Sequence, residues 1–210
     1  MKYLSHRLSA AMWTRVVILW LMLGVVSLVA GGGALAMGQF VQDNIRTELS
    51  SQQITFNTVD KMSDEEKALP GMVENAGQPL SNGNQAKVYA SLIGLHISES
   101  AKDAGFEGAS YASLGAVQRE KRAAVAAATE AGDEDALKTA NDELTAVTNL
   151  RNTFLTANTL RGNLLSAFGW DNFATGIVMA GIIILVLAVV FFGLFIYELR
   201  LGHLPPTDAK

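Results

Sequence analysis

Residues 172–197 form a run of 26 positions without one charged side chain, dominated by Ile, Val, Leu and Phe. Few environments accept such a run. A helix needs about 20 apolar residues to cross the hydrocarbon core, and in lipid its backbone N–H and C=O groups find partners only within the helix itself. The run is long enough to cross with some tilt. A second uncharged stretch occupies residues 16–42, so whatever lies between the two is expected to be tethered at both ends to one membrane face.

The charges divide along the same lines. Segment 43–171 carries 18 acidic and 11 basic side chains, a net of −7, whereas the lead before the first run holds Lys2, Arg7 and Arg15 and no acid. Basic residues are retained on the cytoplasmic side of a span. The expected order is a cytoplasmic tail at 1–15, a transmembrane helix at 16–42, an exocytoplasmic α-helical domain at 43–171, a transmembrane helix at 172–197 and a cytoplasmic tail at 198–210 with Arg200 and Lys210. Trp13 and Trp20 sit where indoles favour the membrane interface. This places the chain in the cell membrane as a multi-pass protein, with the lipid bilayer as its first partner. An acidic outer domain lacks the clustered Lys and Arg that neutralise phosphates, which argues against nucleic acid. With no cysteine in the chain, there is no disulfide framework, thiolate metal site or redox motif, and packing must hold the domain together.

The first run also holds a rival. Ala34 and Ala36 match the small-x-small pattern of a signal-peptidase site, with cleavage after Ala36, but the apolar core is about 22 residues against about 7–15 for a signal peptide. A retained anchor is the favoured reading. Gly24, Ser27, Gly31, Ala34 and Gly38 fall near one helical face, and Gly176 and Ala180 form a small-xxx-small pair in the second run. Such faces let helix backbones approach closely, on each other or on a partner.

Between the spans the pattern is helical. Phe40, Val41, Ile45 and Leu49 continue the first helix to about Ser50. Residues 52–59 lose that period and read as extended, without a second clear strand signal. Ser63 and Glu66 have capping-box spacing for a helix of one or two turns before Pro70. Residues 52–83 are otherwise a long irregular connection, either a binding surface or a structural wrap. Asn82, with Gln85 three residues on, opens a helix expected to end at Gly105, with Val88, Leu92 and Leu95 on one face and Tyr89, Ile93, His96 and Ile97 on the next. A third helix is expected over 111–131, ended by Gly132. Asp133 then caps a fourth that carries Leu137, Ala140, Leu144, Val147 and Phe154 towards Phe168. The fold class read from these signals is an all-α membrane protein: two transmembrane helices flanking an exocytoplasmic helical bundle with one long irregular loop.

Several local patterns together carry a resemblance: Gln53-Ile54-Thr55-Phe56; Ala76-Gly77-Gln78-Pro79 followed by Gly83, Gln85-Ala86 and Tyr89-Ala90; His96; Gly108 with Ser110-Tyr111; and Thr159-Leu160-Arg161-Gly162 with Leu164-Leu165. In order and motif the chain resembles a family of actinobacterial two-span membrane proteins. Some members of that family carry a name alluding to aromatic ring-opening dioxygenases. These residues do not support it, because a facial-triad iron site needs two His and a carboxylate, and His96 is the only histidine between the spans. The resemblance implies a topology and no chemistry.

Candidate ligand or partner contacts are His96, Tyr89, Arg161 and Gln53. His96 reads either as a hydrogen-bonded core histidine or as a pH-sensing or ligand-binding group. Arg161 reads as a structural ion pair or snorkelling cation, or as a lipid-phosphate contact. Asp133, Glu134 and Asp135 lack the spaced ligands and central Gly of a calcium loop and read as a helix N-terminus loaded with favourable charge. There is no GxSxG, P-loop or HExxH, and neither span carries an ionisable group that would mark a proton path. No cofactor, metal or catalytic residue is expected. The reading is a non-catalytic accessory or scaffolding subunit of a membrane or cell-envelope complex, with a membrane protein partner or a homo-oligomer. The alternative is an exocytoplasmic sensor or ligand-binding module that signals through a partner.

Overall fold

The computed structural model describes residues 10–202; Lys2, His6 and Arg7, and His203 and Lys210, lie outside the described residues. Among the described residues every regular element is helical: α1 Ala10–Ser51, a 3-10 turn Val59–Lys61, α2 Asp64–Lys67, α3 Gly83–Asp103, α4 Tyr111–Ala131 and α5 Glu134–Gly202. The described residues divide into two compact units, one made of 10–44 with 172–202 and the other of Ile45–Asp171.

In the first unit, α1 and α5 run antiparallel and meet through glycines. Gly24, Gly31 and Gly38 face Phe192, Leu185 and Val178 in turn, α1 rising as α5 falls. The buried positions of this pair repeat every seven residues, Gly24, Gly31 and Gly38 on one helix and Ala174, Gly181 and Ala188 on the other. A seven-residue repeat keeps one stripe of a helix on its partner as the two wind around each other. Because Gly31 and Gly181 lack side chains, the backbones come close: a Cβ at Gly181 would lie 3.0 Å from the Gly31 carbonyl oxygen. Side chains outside the seam are apolar and exposed, Val29 at 70% and Val189 at 72% among them. Polar bonds tie the two ends, Trp13 Nε1–H donating to the Glu198 carbonyl at 3.2 Å and Gln42 Nε2–H to Thr175 Oγ1 at 3.0 Å.

The small pair expected at Gly176 and Ala180 is not part of this seam. Both residues are exposed, and no heavy atom lies within 4 Å of a Cβ built at Gly176. The reason is angular. Residues 174, 181 and 188 define the buried stripe, and positions two after 174 and one before 181 point well away from it at about 100° per residue.

In the second unit, α5 is flanked by α3 and then α4. Both run antiparallel to it, with Gly83 against Asp171, Gly94 against Arg161 and Gly115 against Arg151. Local chemistry sets the helix ends. Ser63, Asn82 and Ser110 each accept a backbone N–H three residues on, Asp133 Oδ1 accepts from Ala136 N at 3.0 Å, and Gly132 closes α4 in the left-handed conformation that its missing Cβ permits. Residues 52–82 wrap the end of α1 and the start of α3. They press Phe56, Met62, Met72 and Leu80 into a core shared with Leu49, Leu92 and Leu164. Their own backbone is tied by an antiparallel bridge between Thr55 and Pro79, with Leu80 N–H donating to the Ile54 carbonyl at 2.9 Å and Phe56 N–H to Gln78 at 3.0 Å. The partner of the extended 52–59 stretch thus lies within the Gly- and Pro-rich loop. Its pairing residue is a proline, which has no N–H to give, so sequence signals for a strand were weak there.

A second, smaller core joins Ala101, Leu114 and Phe154. Beside it Gln118, buried, donates to Thr148 Oγ1 at 2.8 Å and accepts from Arg151 Nη1 at 3.0 Å. The Arg151 guanidinium lies over the Tyr111 ring, 4.2 Å from its centroid. This polar set pins α4 to α5 where side chains are too small to do so by apolar area.

Candidate functional site

The unit Ile45–Asp171 has an open groove of about 560 Å³ between α3 and α5. Ile93, Ile97, Ala157 and Leu160 give it an apolar floor, and Ser100, Asn152, Thr153 and Thr156 bring hydroxyl and amide groups to its sides. His96 stands on its rim. The helical period explains the arrangement, since 93, 96, 97 and 100 share one face of α3 and 153, 156, 157 and 160 share one face of α5. Both the volume and the mixture of apolar floor with a few polar groups fall within the range of ligand sites.

His96 is tied to a carboxylate. Its Nε2 lies 2.9 Å from Glu66 Oε1, and the imidazole is 52% exposed while the Glu66 side chain is 10% exposed. The other oxygen of Glu66 accepts from Ser63 N–H at 2.9 Å, completing the capping box of α2. One buried carboxylate therefore both caps α2 and holds residues 52–82, a strap over the core, against α3. Burial alone pushes its carboxyl up, but hydrogen bonds from His96 and from the Ser63 backbone, with the nearby imidazole charge, outweigh it and leave Glu66 below the usual carboxylate range. His96 is not the enclosed core histidine that its apolar neighbours on α3 had suggested. Those neighbours are shared with the groove, which stays open.

The other expected contacts fall in different places. Tyr89, half-buried, packs its ring edge-to-face on Phe56 with centroids 5.4 Å apart and belongs to the core. Gln53 is exposed in the turn just past the end of α1, with φ of 54°. Arg161 is exposed on α5 and lies across Gly94 of α3, where a Cβ would stand 3.5 Å from its Nε. It makes no ion pair among the described residues, so of the readings given for it only the ion pair is set aside. Tyr89 and His96, two turns apart on α3, both meet the strap, while Gln53 and Arg161 do not join them. Glu66 was visible in the sequence only as a capping residue. Asn152, Thr153 and Thr156 carry no signal of their own, since Thr and Asn on a helix surface look the same whether or not a groove lies beneath them.

Chemically the site offers an imidazole backed by a carboxylate, several hydroxyls and an apolar floor. Among the described residues no group of three His, Asp or Glu side chains is placed to hold a metal ion. No family model, curated protein or solved structure matches the chain.

Proposed function

We propose that the chain is an integral protein of the cell membrane that crosses the bilayer twice, keeps both termini in the cytoplasm and presents 43–171 outside. There it serves as a non-catalytic accessory or scaffolding subunit, binding a membrane protein partner or a further copy of itself through the outer helical domain. The observation that carries the membrane reading is exposure. The most apolar windows of α1 and α5 have mean hydropathies of 2.3 and 3.1, yet only 11% of each window is buried. Core helices of a water-soluble protein of this hydropathy would be enclosed, whereas lipid accepts such a surface without cost. The seven-residue glycine seam further favours a retained first helix over a cleaved one, because cleavage after Ala36 would remove Gly24 and Gly31 from contact with α5. The actinobacterial family that the chain resembles has the same two-span layout.

A second reading is favoured by the groove: an exocytoplasmic ligand-binding or sensor module, with His96 at the rim and signalling passed to a partner. Photo-crosslinking from Thr156 in native membranes, followed by mass spectrometry, tests the proposal. A reproducible protein adduct supports the accessory role. Adducts absent from Thr156 and from every other groove position, together with no stable companion after purification in mild detergent, would remove it in favour of the ligand-binding module.

A further inference from the structure

We infer that Glu66 and His96 form a pH-sensitive clasp that holds the strap, residues 52–82, at the rim of the α3/α5 groove. The strap's core anchors, Phe56, Met62, Met72 and Leu80, are insensitive to pH, but the short helix α2 reaches α3 through one titratable contact, the 2.9 Å bond between Glu66 and His96. Glu66 is the only acidic side chain buried among the described residues, and its only cationic partner is an imidazole. Imidazole is the group whose charge changes between about pH 5 and 8.

Little else competes for that charge. On α2, Asp64 and Glu65 are exposed and Lys67 pairs with Asp64 at 3.5 Å. On α3 the nearest charge on the same side is Glu99, one turn further on. On α5, residues 152–160 have no ionisable residue, and the next, Arg161, is a fixed cation that lies across Gly94 of α3 and does not titrate over this range.

The sign follows from which state gains the bond. With the imidazole protonated, both the donor and the acceptor of the bond are charged and the desolvated carboxylate has an ion-pair partner. As pH rises and the proton leaves, Glu66 keeps its charge but is left with a weaker donor, so the clasp loosens. At the acid end the bond survives until Glu66 itself protonates, which its lowered pKa delays. The clasp is therefore tightest in mild acid and loosens towards alkaline pH, releasing α2 from His96 while the buried anchors keep the rest of the strap in the core.

Hydrogen exchange on the full chain in detergent, read by mass spectrometry at about pH 5.5 and pH 8, tests this. Protection of the peptide containing Val59–Lys61 and Asp64–Lys67 is expressed relative to a peptide from α4 in the same sample, which removes the intrinsic pH dependence of exchange. The wild-type ratio is expected to fall severalfold from the lower to the higher pH. In His96→Gln, which can still donate a hydrogen bond but does not titrate, the ratio is expected to be flat. Glu66→Gln, which can still cap Ser63, is likewise expected to be flat. A wild-type ratio that does not change, or a change that persists in either variant, overturns the clasp.

Discussion

The glycines of α1 make the sharpest quantitative claim. A Cβ at Gly38 would stand 2.5 Å from Val178 Cγ2 and 3.0 Å from the Ala174 carbonyl oxygen, and one at Gly31 would stand 2.8 Å from Leu185 Cγ and 3.0 Å from the Gly181 carbonyl oxygen. Carbon atoms in favourable contact are about 3.5–4.0 Å apart, so an added methyl overlaps its neighbours by roughly an ångström. In both cases one neighbour is backbone, which cannot rotate aside. Overpacking of this kind costs about 1–3 kcal/mol. Replacing Gly by Ala within a helix returns about 1 kcal/mol, leaving a net loss of up to about 2 kcal/mol for Gly31→Ala or Gly38→Ala. At Gly24 the neighbour is the edge of the Phe192 ring at 3.0 Å, a side chain able to move, so Gly24→Ala should cost less. Gly32→Ala and Gly33→Ala meet no heavy atom within 4 Å and should be neutral or slightly stabilising. Thermal unfolding of the detergent-purified chain reads the series. For a chain of this size a kcal/mol shifts the midpoint by about 2–4 °C, so Gly31→Ala and Gly38→Ala should each fall by a few degrees while Gly32→Ala does not. Equal midpoints for Gly31→Ala, Gly38→Ala and Gly32→Ala would mean that the two helices do not pack through this face.

Three further changes test the unit Ile45–Asp171. Phe56→Ala empties the space of a side chain that is 2% exposed and should cost about 3–5 kcal/mol, seen as early proteolysis within residues 52–82. Gln118→Ala leaves Thr148 and Arg151 without their shared partner, and a loss of about 1–3 kcal/mol should appear in chemical denaturation; an unchanged midpoint would show that the polar set contributes nothing. Glu66→Ala should cost about 1–3 kcal/mol through the lost bonds to Ser63 N–H and His96. Because the Glu66 carboxyl is held below its usual range, its contribution is present above that range and lost as pH falls through the lowered value. Stability of Glu66→Ala and wild type should therefore differ at neutral pH and converge in strong acid.

What could be read from the sequence was what depends on neighbours along the chain. Ser63 with Glu66, Asn82 with Gln85, Asp133 and Gly132 mark helix ends through bonds made within four residues, and the chain folds at those points as these signals indicate. The length and apolarity of the two long helices are likewise properties of a single segment. Through-space relations were less legible. Gly176 and Ala180 have the spacing of a packing pair, but so does any small-xxx-small pair, and only the position of α1 decides which stripe of α5 is covered. The bridge between Thr55 and Pro79 joins two segments neither of which alternates strongly enough to announce a strand. His96 has apolar neighbours on α3 and so resembled a core residue, yet those neighbours border an open groove. Its bond to Glu66 spans 30 residues and connects a capping residue to a helix face, a pairing that no local pattern encodes.

The membrane topology is the claim on which the functional reading stands, and the absence of cysteine from the chain makes it directly measurable. Glu107 lies in the exposed turn between α3 and α4, and Arg200 is exposed near the end of α5. Single-cysteine variants Glu107→Cys and Arg200→Cys, treated in intact cells with a membrane-impermeant maleimide, should behave oppositely: Glu107→Cys is labelled at once, and Arg200→Cys only after permeabilisation. Labelling of both before permeabilisation, or of Arg200→Cys alone, would contradict two spans with the acidic domain outside.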